Sequence, residues 1–448
     1  MDVLFVHNAF PAQFHNIASA LSEVPGIRVA AIGGPRAKTV PGVLVERYPL
    51  PPVRGIGHPF SRRFELECVR AEQVMYAASA LARRGFRPAT VVVHCGWGEG
   101  LSLREVFPAA RLISYAEYYY RSTGQDVGFD PEFSPLGVDG RTGVHIKNAA
   151  TLLALADSDE IISPTAWQKA LLPQEFQAKA SVVHEGIDTG KVRPNAFARF
   201  KLSNGRILGC NDEVVTFVAR NLEPLRGFHV FMRALPQILA ARPRAQVLVI
   251  GGTERGYGSP PPKGSSWKQV FLDEIKSRAD TSRVHFTGAL AYNQYLAALQ
   301  ISSAHVYLTY PFVLSWSLLE AMSAGCVVIG SATEPVQEVV NGRNGILVPF
   351  FDVEGLAARV TDALVNPERY RPMRERARQT ILTDFEQSRC VEAAKGIIMP
   401  TFDDILVAPN SNDGFIESAE DPLSDLLKPV APNPCVRLFP EYLVRSRS

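Results

Sequence analysis

The chain has 448 residues, 46% hydrophobic and 21% charged, which is ordinary for a globular protein and leaves room for two domains with their own cores. The net charge of +2 gives no global pull toward nucleic acid, and no stretch reaches the roughly 18 consecutive apolar residues of a membrane span. The six cysteines are scattered without a Cys-x-x-Cys pair, so neither a disulfide framework nor a zinc site is expected, and a reducing cytoplasm fits.

The N-terminus starts directly on an apolar strand without a basic leader, so a signal peptide is not expected. Asp2–His7 (DVLFVH) is apolar without alternation, as a buried parallel strand is. A helix over Gln13–Leu21 and a strand over Ile27–Ile32 complete a βαβ opening, which predicts a Rossmann-like sheet. No Gly-x-Gly-x-x-Gly follows the first strand, so a dinucleotide is not expected on this half. Between Arg28 and Arg63 seven basic residues face Glu46 alone, a local excess suited to anionic lipid or a diphosphate-bearing acceptor, or simply to water. Arg63–Arg83 reads as a helix with a buried stripe.

Thr90–His94 (TVVVH) is a strand that ends in His94 and runs into the glycine-rich loop Cys95-Gly96-Trp97-Gly98-Glu99-Gly100, a pattern that builds a ligand crevice. The next strand, Leu112–Tyr115, is followed by Glu117 and then by Tyr118-Tyr119-Tyr120-Arg121, aromatic faces that serve either sugar stacking or packing. Two acids and two aromatics in Val127–Phe133 either hold an acceptor or make turns. A helix over Val144–Ala156, a strand over Glu160–Ser163, a helix over Thr165–Leu171 and a last strand over Ala180–His184 close this half. Thr189–Gly209 is polar and reads as irregular linker.

The second half restarts with a strand over Glu213–Val218, followed by Arg220 and Arg226. A helix over Phe228–Ala240 and a strand over Ala245–Ile250, with its exit loop Gly251–Glu254, make a second βαβ. Tyr257–Ser266 reads as a mobile surface loop, and Val284–Thr287 as a strand. Val306–Thr309 is a strand stopped at Tyr310-Pro311. Ser315 or Ser317 then caps a helix over Leu318–Ala324 that ends at Gly325, ahead of a strand over Cys326–Ile329. That helix N-terminus is a seat for phosphate, and Glu320 near it is placed to accept a ribose diol. Helices follow over Val353–Val365, Tyr370–Thr383 and Cys390–Ile398, and residues 406–448 read as a tail.

The run Leu319-Glu320-Ala321-Met322-Ser323-Ala324-Gly325-Cys326-Val327-Val328-Ile329, with Glu338-Val339-Val340 and Asn341-Gly342-Arg343-Asn344-Gly345-Ile346-Leu347-Val348, resembles the retaining family 4 (group 1) glycosyltransferases of GT-B fold. Arg220 with Arg226-Gly227 is similar to that family's Arg and Lys-Gly pair, and His184-Glu185-Gly186-Ile187-Asp188 to its hinge. The chain departs from the family's Glu-x7-Glu at the first position, which is Phe312, and Val313-Leu314-Ser315 replaces the usual Gly-Phe-Gly. With HCGWGE and Val127–Phe133 it looks like a less-studied subgroup.

The resemblance implies an α/β protein of two Rossmann-like domains facing across a cleft, with a C-terminal helix crossing back. Residues 1–190 would form an acceptor-binding domain, 191–210 a linker, 211–385 a nucleotide-sugar-binding domain, 386–405 the crossover helix and 406–448 an extended tail. It implies donor contacts from Arg220, Arg226, Glu320, Ser315, Trp316, Ser317, Gly252 and Glu338. Glu117 and His94 would act at the reacting sugar, and Gln13, Trp97, Glu99 and Tyr119 would meet the acceptor. No metal and no cofactor is implied beyond a UDP- or GDP-linked sugar as substrate. The acceptor would be a glycan or lipid-linked hydroxyl, with peripheral contact at the inner membrane surface. Two other readings stay open: a catalytically degenerate GT-B subunit, on the loss of the first Glu, and a nucleotide-sugar epimerase, on Glu117 with Glu99.

Overall fold

Seven short strands of the first half pair into one parallel sheet in the computed structural model, which describes residues 1–51, 57–133 and 136–399. They are β1 (Asp2–Val6), β2 (Arg28–Gly33), β3 (Val43–Arg47), β4 (Pro88–His94), β5 (Arg111–Tyr115), β6 (Glu160–Ser163) and β7 (Ala180–Val182). Their order is β3-β2-β1-β4-β5-β6-β7, with Val3 opposite Val29 on one side and Thr90 on the other. Helices cover both faces, which is why β1 and β4 carry consecutive buried apolar residues, Val3–Val6 and Val91–Val93, rather than alternate ones.

The second lobe repeats the plan. β8 (Arg199–Lys201) and β9 (Ile207–Gly209) form an antiparallel hairpin. β10 (Val214–Asn221), β11 (Gln246–Gly252), β12 (Val284–Gly288), β13 (Ala304–Tyr307), β14 (Val328–Ser331) and β15 (Ile346–Val348) form a parallel sheet in the order β12-β11-β10-β13-β14-β15. In both sheets the chain reverses direction of build between two central strands, β1 and β4 in one and β10 and β13 in the other. The crevices that α/β sheets use for ligands therefore open at the C-terminal ends of those pairs. The helix Gln387–Ile398 returns to the first lobe, where Val391 and Ile398 join the core around Phe14, Ile17 and Leu21 and the Ile398 carbonyl accepts from Thr90 Oγ1 at 2.9 Å.

Three local readings change. β3 is an extra edge strand, half-exposed and partly charged, so it lacks the apolar run that marks the buried strands. The stretch read as irregular linker contains the β8–β9 hairpin, whose Phe200 and Leu208 pack under Val214, Leu248 and Ile250 of the second lobe. The single helix expected over Val144–Ala156 is two, Val138–Ile146 and Ala149–Asp157. At the break the Asn148 side chain pairs with both backbone groups of Tyr120, accepting at 2.9 Å and donating at 2.8 Å. The tail 406–448 lies outside the described residues.

The largest departure is Val127–Phe133. Rather than simply turning, it crosses from the first lobe and docks on the second. Phe129 packs on Tyr310, Phe350 and Phe351, and Phe133 on His229, Trp267 and Phe271. Between them Asp130, 1% exposed, accepts from the Tyr310 hydroxyl at 2.8 Å and meets His229 Nε2 at 3.1 Å. Burial raises the Asp130 carboxyl, but the hydrogen bonds from His229 and Tyr310 and the Glu132 backbone N–H outweigh it and hold it below the usual range. Among the described residues no helix is long and apolar enough to cross a membrane.

Candidate active site

A cleft of about 180 Å³ lies between the lobes, lined by the C-terminal ends of β4 and β10 and by the loops that follow β4, β5, β10 and β13. From the first lobe come His94 at the end of β4, Gly96 and Trp97 after it, Glu117 after β5, Tyr118, Tyr120 and Arg63. From the second come Arg220 and Asn221 at the end of β10, Glu223, Arg226, Tyr257 and Phe312–Ser315.

Glu117 and His94 meet there. His94 Nδ1 accepts the Gly96 N–H at 3.2 Å, which assigns the ring proton to Nε2, donated to Glu117 Oε2 at 3.3 Å. Gln13 Nε2 donates to Glu117 Oε1 at 3.1 Å, and the Glu117 carbonyl accepts from Gln168 Nε2 at 2.6 Å. Burial raises the Glu117 carboxyl; His94, Gln13 and the Arg226 guanidinium more than offset that, so it stays ionised, with 28% of its side chain exposed to the cleft. Trp97 stacks on His94 with ring centres 6.0 Å apart, and buried His7 lies edge-on to it at 5.0 Å. Burial and the neighbouring His94 push His7 down to about 3, so His7 is neutral and its Nδ1 accepts the Ala9 N–H at 2.9 Å.

Across the cleft Arg226 Nη1 donates to Thr309 Oγ1 at 3.1 Å and to the Val313 carbonyl at 2.8 Å, and its guanidinium lies over Phe312 at 5.3 Å. Arg220 is exposed and reaches only the Tyr257 hydroxyl, at 3.4 Å. Neither guanidinium has a carboxylate partner within ion-pair distance among the described residues, so both keep charge directed at the cleft. Ser315 starts the helix Trp316–Ser323 by its backbone conformation, and its side chain bonds Ser317 Oγ at 2.7 Å rather than capping. Gly325, at φ +81°, ends that helix in the left-handed conformation that glycine adopts without cost. Gly252 seats Asn221, since a Cβ there would lie 2.7 Å from Asn221 Oδ1.

Several residues expected in the site stand elsewhere. Glu99 is fully buried, hydrogen-bonded by the Tyr48 hydroxyl at 2.7 Å, with its carboxyl raised by burial, and it does not line the cleft. Without Glu99 in the cleft, the pair of acids on which the epimerase reading rested is not formed. Tyr119 faces the cluster around Cys95 and Leu155, while its neighbours Tyr118 and Tyr120 face the cleft. Glu338 spans the lobes instead, accepting the Ala166 and Trp167 N–H groups at 2.7 and 2.9 Å at the start of the helix Ala166–Leu171. Trp316, half-exposed, donates to Glu185 at 3.3 Å near the hinge. Glu320 is not among the cleft-lining residues; its carboxylate accepts from Tyr292 and Tyr295 hydroxyls at 2.8 and 2.5 Å.

Tyr118 and Tyr120, from the run read as sugar-stacking or packing faces, and Arg63, from the basic stretch, line the cleft; the residues that sequence reasoning missed are Glu223 and Tyr257. Tyr257 belongs to the stretch read as a mobile surface loop. Buried Glu223 holds that loop in place by accepting the Tyr257 and Gly258 N–H groups at 3.3 and 2.8 Å. The grouping with metal-ligand spacing among the described residues is Asp130, Glu132 and His229, whose ligand atoms lie within 4.8 Å of one another. Its oxygens are already taken: Asp130 by Tyr310 and His229, Glu132 by the Arg233 fork at 2.8 Å.

Two parallel Rossmann-like sheets that face across a cleft, with a last helix crossing back, define a GT-B fold. The structure of sucrose-phosphate synthase from Thermosynechococcus elongatus superposes with a TM-score of 0.67 at 18% identity, over 89% of this chain and 98% of that one. Anabaena HepE in complex with UDP and glucose gives a TM-score of 0.61 at 16% identity, over 89% and 99%. Residues 25–192 match the profile of the Glycosyl transferase family 4 group and residues 206–380 that of Glycosyl transferases group 1, so the chain carries both modules of these glycosyltransferases. Glycogen synthase from Mycobacterium tuberculosis (strain H37Rv) is 26% identical over 235 residues, 51% of each chain. D-inositol 3-phosphate glycosyltransferase from Rhodococcus jostii (strain RHA1) is 27% identical over 223 residues, 48% of this chain and 47% of that one. The chain thus spans about half the length of the curated relatives it matches.

Proposed function

We propose that the protein transfers a hexose from a nucleotide-sugar donor to a hydroxyl acceptor, with retention of configuration and without a metal. The observation that carries this is the placement of Arg220 and Arg226, without carboxylate partners among the described residues, opposite the Glu117–His94 pair in an interlobe cleft. The two guanidiniums, with the N-terminus of the helix Trp316–Ser323, stabilise the charge that develops on the departing diphosphate. Ionised Glu117, oriented by His94 and Gln13, positions the sugar or the attacking hydroxyl. That hydroxyl attacks from the face the diphosphate leaves and gives its proton to the leaving phosphate oxygen. The cleft excludes water that would hydrolyse the donor. The UDP in the Anabaena structure makes UDP the first donor base to try, with GDP next.

A binding-only reading has one observation in its favour: Phe312, buried at 5% exposure against Tyr118 and Tyr257, stands where the resemblance places a carboxylate. The test is incubation with UDP-glucose and GDP-mannose, an acceptor panel and EDTA, followed by proton NMR of the product. Transfer that keeps the donor's anomeric configuration supports the proposal. Tight nucleotide binding with neither transfer nor donor hydrolysis supports the binding-only reading.

A further inference from the structure

The two walls of the cleft differ in what they offer a sugar. On the first lobe Glu117, ionised and partly exposed, presents a carboxylate, with His94 behind it. On the second lobe the run Phe312-Val313-Leu314 lines the cleft with apolar side chains alone. The polar groups that border this run are taken: Ser315 Oγ by Tyr307 and Ser317, at 3.3 and 2.7 Å, and the Tyr118 hydroxyl by Asp126 at 2.7 Å. Glu223 is committed to the Tyr257 and Gly258 N–H groups, and the Asn221 side chain lies against Gly252. Phe312 is fixed on three sides, by Tyr118 at 4.8 Å and Tyr257 at 5.5 Å between ring centres and by the Arg226 guanidinium at 5.3 Å. Arg226 also donates to the Val313 carbonyl at 2.8 Å, so the cation assigned to the donor diphosphate and the apolar run form one unit. A sugar linked to that diphosphate and reaching toward Glu117 therefore lies along Phe312 and Val313. A hydroxyl turned to this wall would lose water without gaining a partner, whereas a methyl group there would be buried against carbon.

We propose that Phe312 and Val313 determine the donor sugar: the protein takes a 6-deoxyhexose, whose C6 methyl group rests on this wall, in preference to the hexose that carries a hydroxyl there. The inference rests on the transferase reading above and names the sugar of its donor. Of the hydroxyls a hexose can lack, only the one at C6 leaves a methyl group projecting from the ring; loss at a ring carbon leaves a hydrogen and a gap. Contact of that methyl with Phe312 and Val313 replaces an unsatisfied hydroxyl by buried apolar area. The size of the effect is bounded, since an apolar pocket discriminates against an added hydroxyl by about 10- to 100-fold. Glu117 on the first lobe remains available to the ring hydroxyls that both sugars share.

The experiment is calorimetric titration of the full chain with matched donors that differ only at C6: UDP-glucose with UDP-6-deoxyglucose, and GDP-mannose with GDP-6-deoxymannose. UDP and GDP alone run beside them. The parent chain, Phe312→Gln and Val313→Thr are compared by the ratio of affinities within a pair, so a shared change in nucleotide binding cancels. Val313 is half-buried and threonine keeps its shape, so Val313→Thr gives the answer even if Phe312→Gln does not fold. The proposal expects the 6-deoxy donor to bind at least tenfold tighter than its hexose in the pair whose base the protein binds. It expects that ratio to fall threefold or more in Val313→Thr, in Phe312→Gln or in both. Equal affinities within the pair, a preference for the hydroxylated sugar, or a ratio that neither variant moves overturns it. Failure of UDP and GDP themselves to bind strikes at the transferase reading instead.

Discussion

Replacing Asp130 with alanine should destabilise the protein by about 3–5 kcal/mol, the usual consequence of breaking a buried charged pair and leaving its partner unpaired. The carboxylate is 1% exposed and gathers three donors: the Tyr310 hydroxyl at 2.8 Å, His229 Nε2 at 3.1 Å and the Glu132 N–H at 2.9 Å. Each hydrogen bond to a charged group contributes about 1.5–3 kcal/mol, and the Tyr310 hydroxyl and His229 N–H, both on buried residues, would lose their acceptor. His229 Nδ1 is already buried without a partner, so the site has nothing spare to reorganise around. Urea unfolding followed by tryptophan fluorescence gives the loss directly. Glu132→Ala is the control: its Arg233 pair has the carboxylate 46% exposed, and it should lose less than about 1 kcal/mol. A loss below about 1 kcal/mol for Asp130→Ala would refute the reading of Val127–Phe133 as the segment that anchors one lobe to the other.

Three further outcomes rest on buried or interlobe groups of the same fold. Buried His7 and His305 are both pushed down to about 3 by burial, so each is neutral when folded while the unfolded chain takes up a proton below about 6.5. Stability is therefore full above pH 6.5 and falls with acidification by about 1.4 kcal/mol per unit for each histidine. Urea midpoints at pH 7 and 5 should show His305→Gln losing about 2 kcal/mol less than the parent over that range, and an equal loss would contradict it. Asp130 adds a separate acid limb: its depressed carboxyl stabilises above about pH 4, the unfolded value, and that contribution disappears as pH falls through the lower folded value. Glu338→Ala removes two charge-assisted bonds between the lobes, so small-angle scattering without ligand should show a larger radius of gyration at little change in melting temperature. Unchanged dimensions would deny Glu338 a part in holding the lobes together.

The sheets were legible because a parallel strand covered on both faces reads as an unbroken apolar run: DVLFV and VLVI announce themselves. Edge strand β3, with its VLVER sequence, does not, since one side of it meets water. That Arg220, Arg226, Glu117 and His94 face one cleft was legible because each lies at or shortly after the C-terminal end of a strand. The errors share one cause, that side-chain direction in loops is decided by partners far away in sequence. Glu99 sits in a glycine-rich loop that reads as exposed, yet Tyr48 draws it inward. Of three consecutive tyrosines only the middle one turns away from the cleft. Asp130 and Tyr310 lie 180 residues apart, beyond any local signal.

The most direct measurement of the central claim is UDP binding by calorimetry, in EDTA, to the parent chain and to Arg226→Ala. The account predicts binding without metal that weakens roughly 10- to 100-fold in the variant, from the loss of one guanidinium at about 1.5–3 kcal/mol. Binding that requires a divalent metal, or that Arg226→Ala leaves untouched, would contradict it.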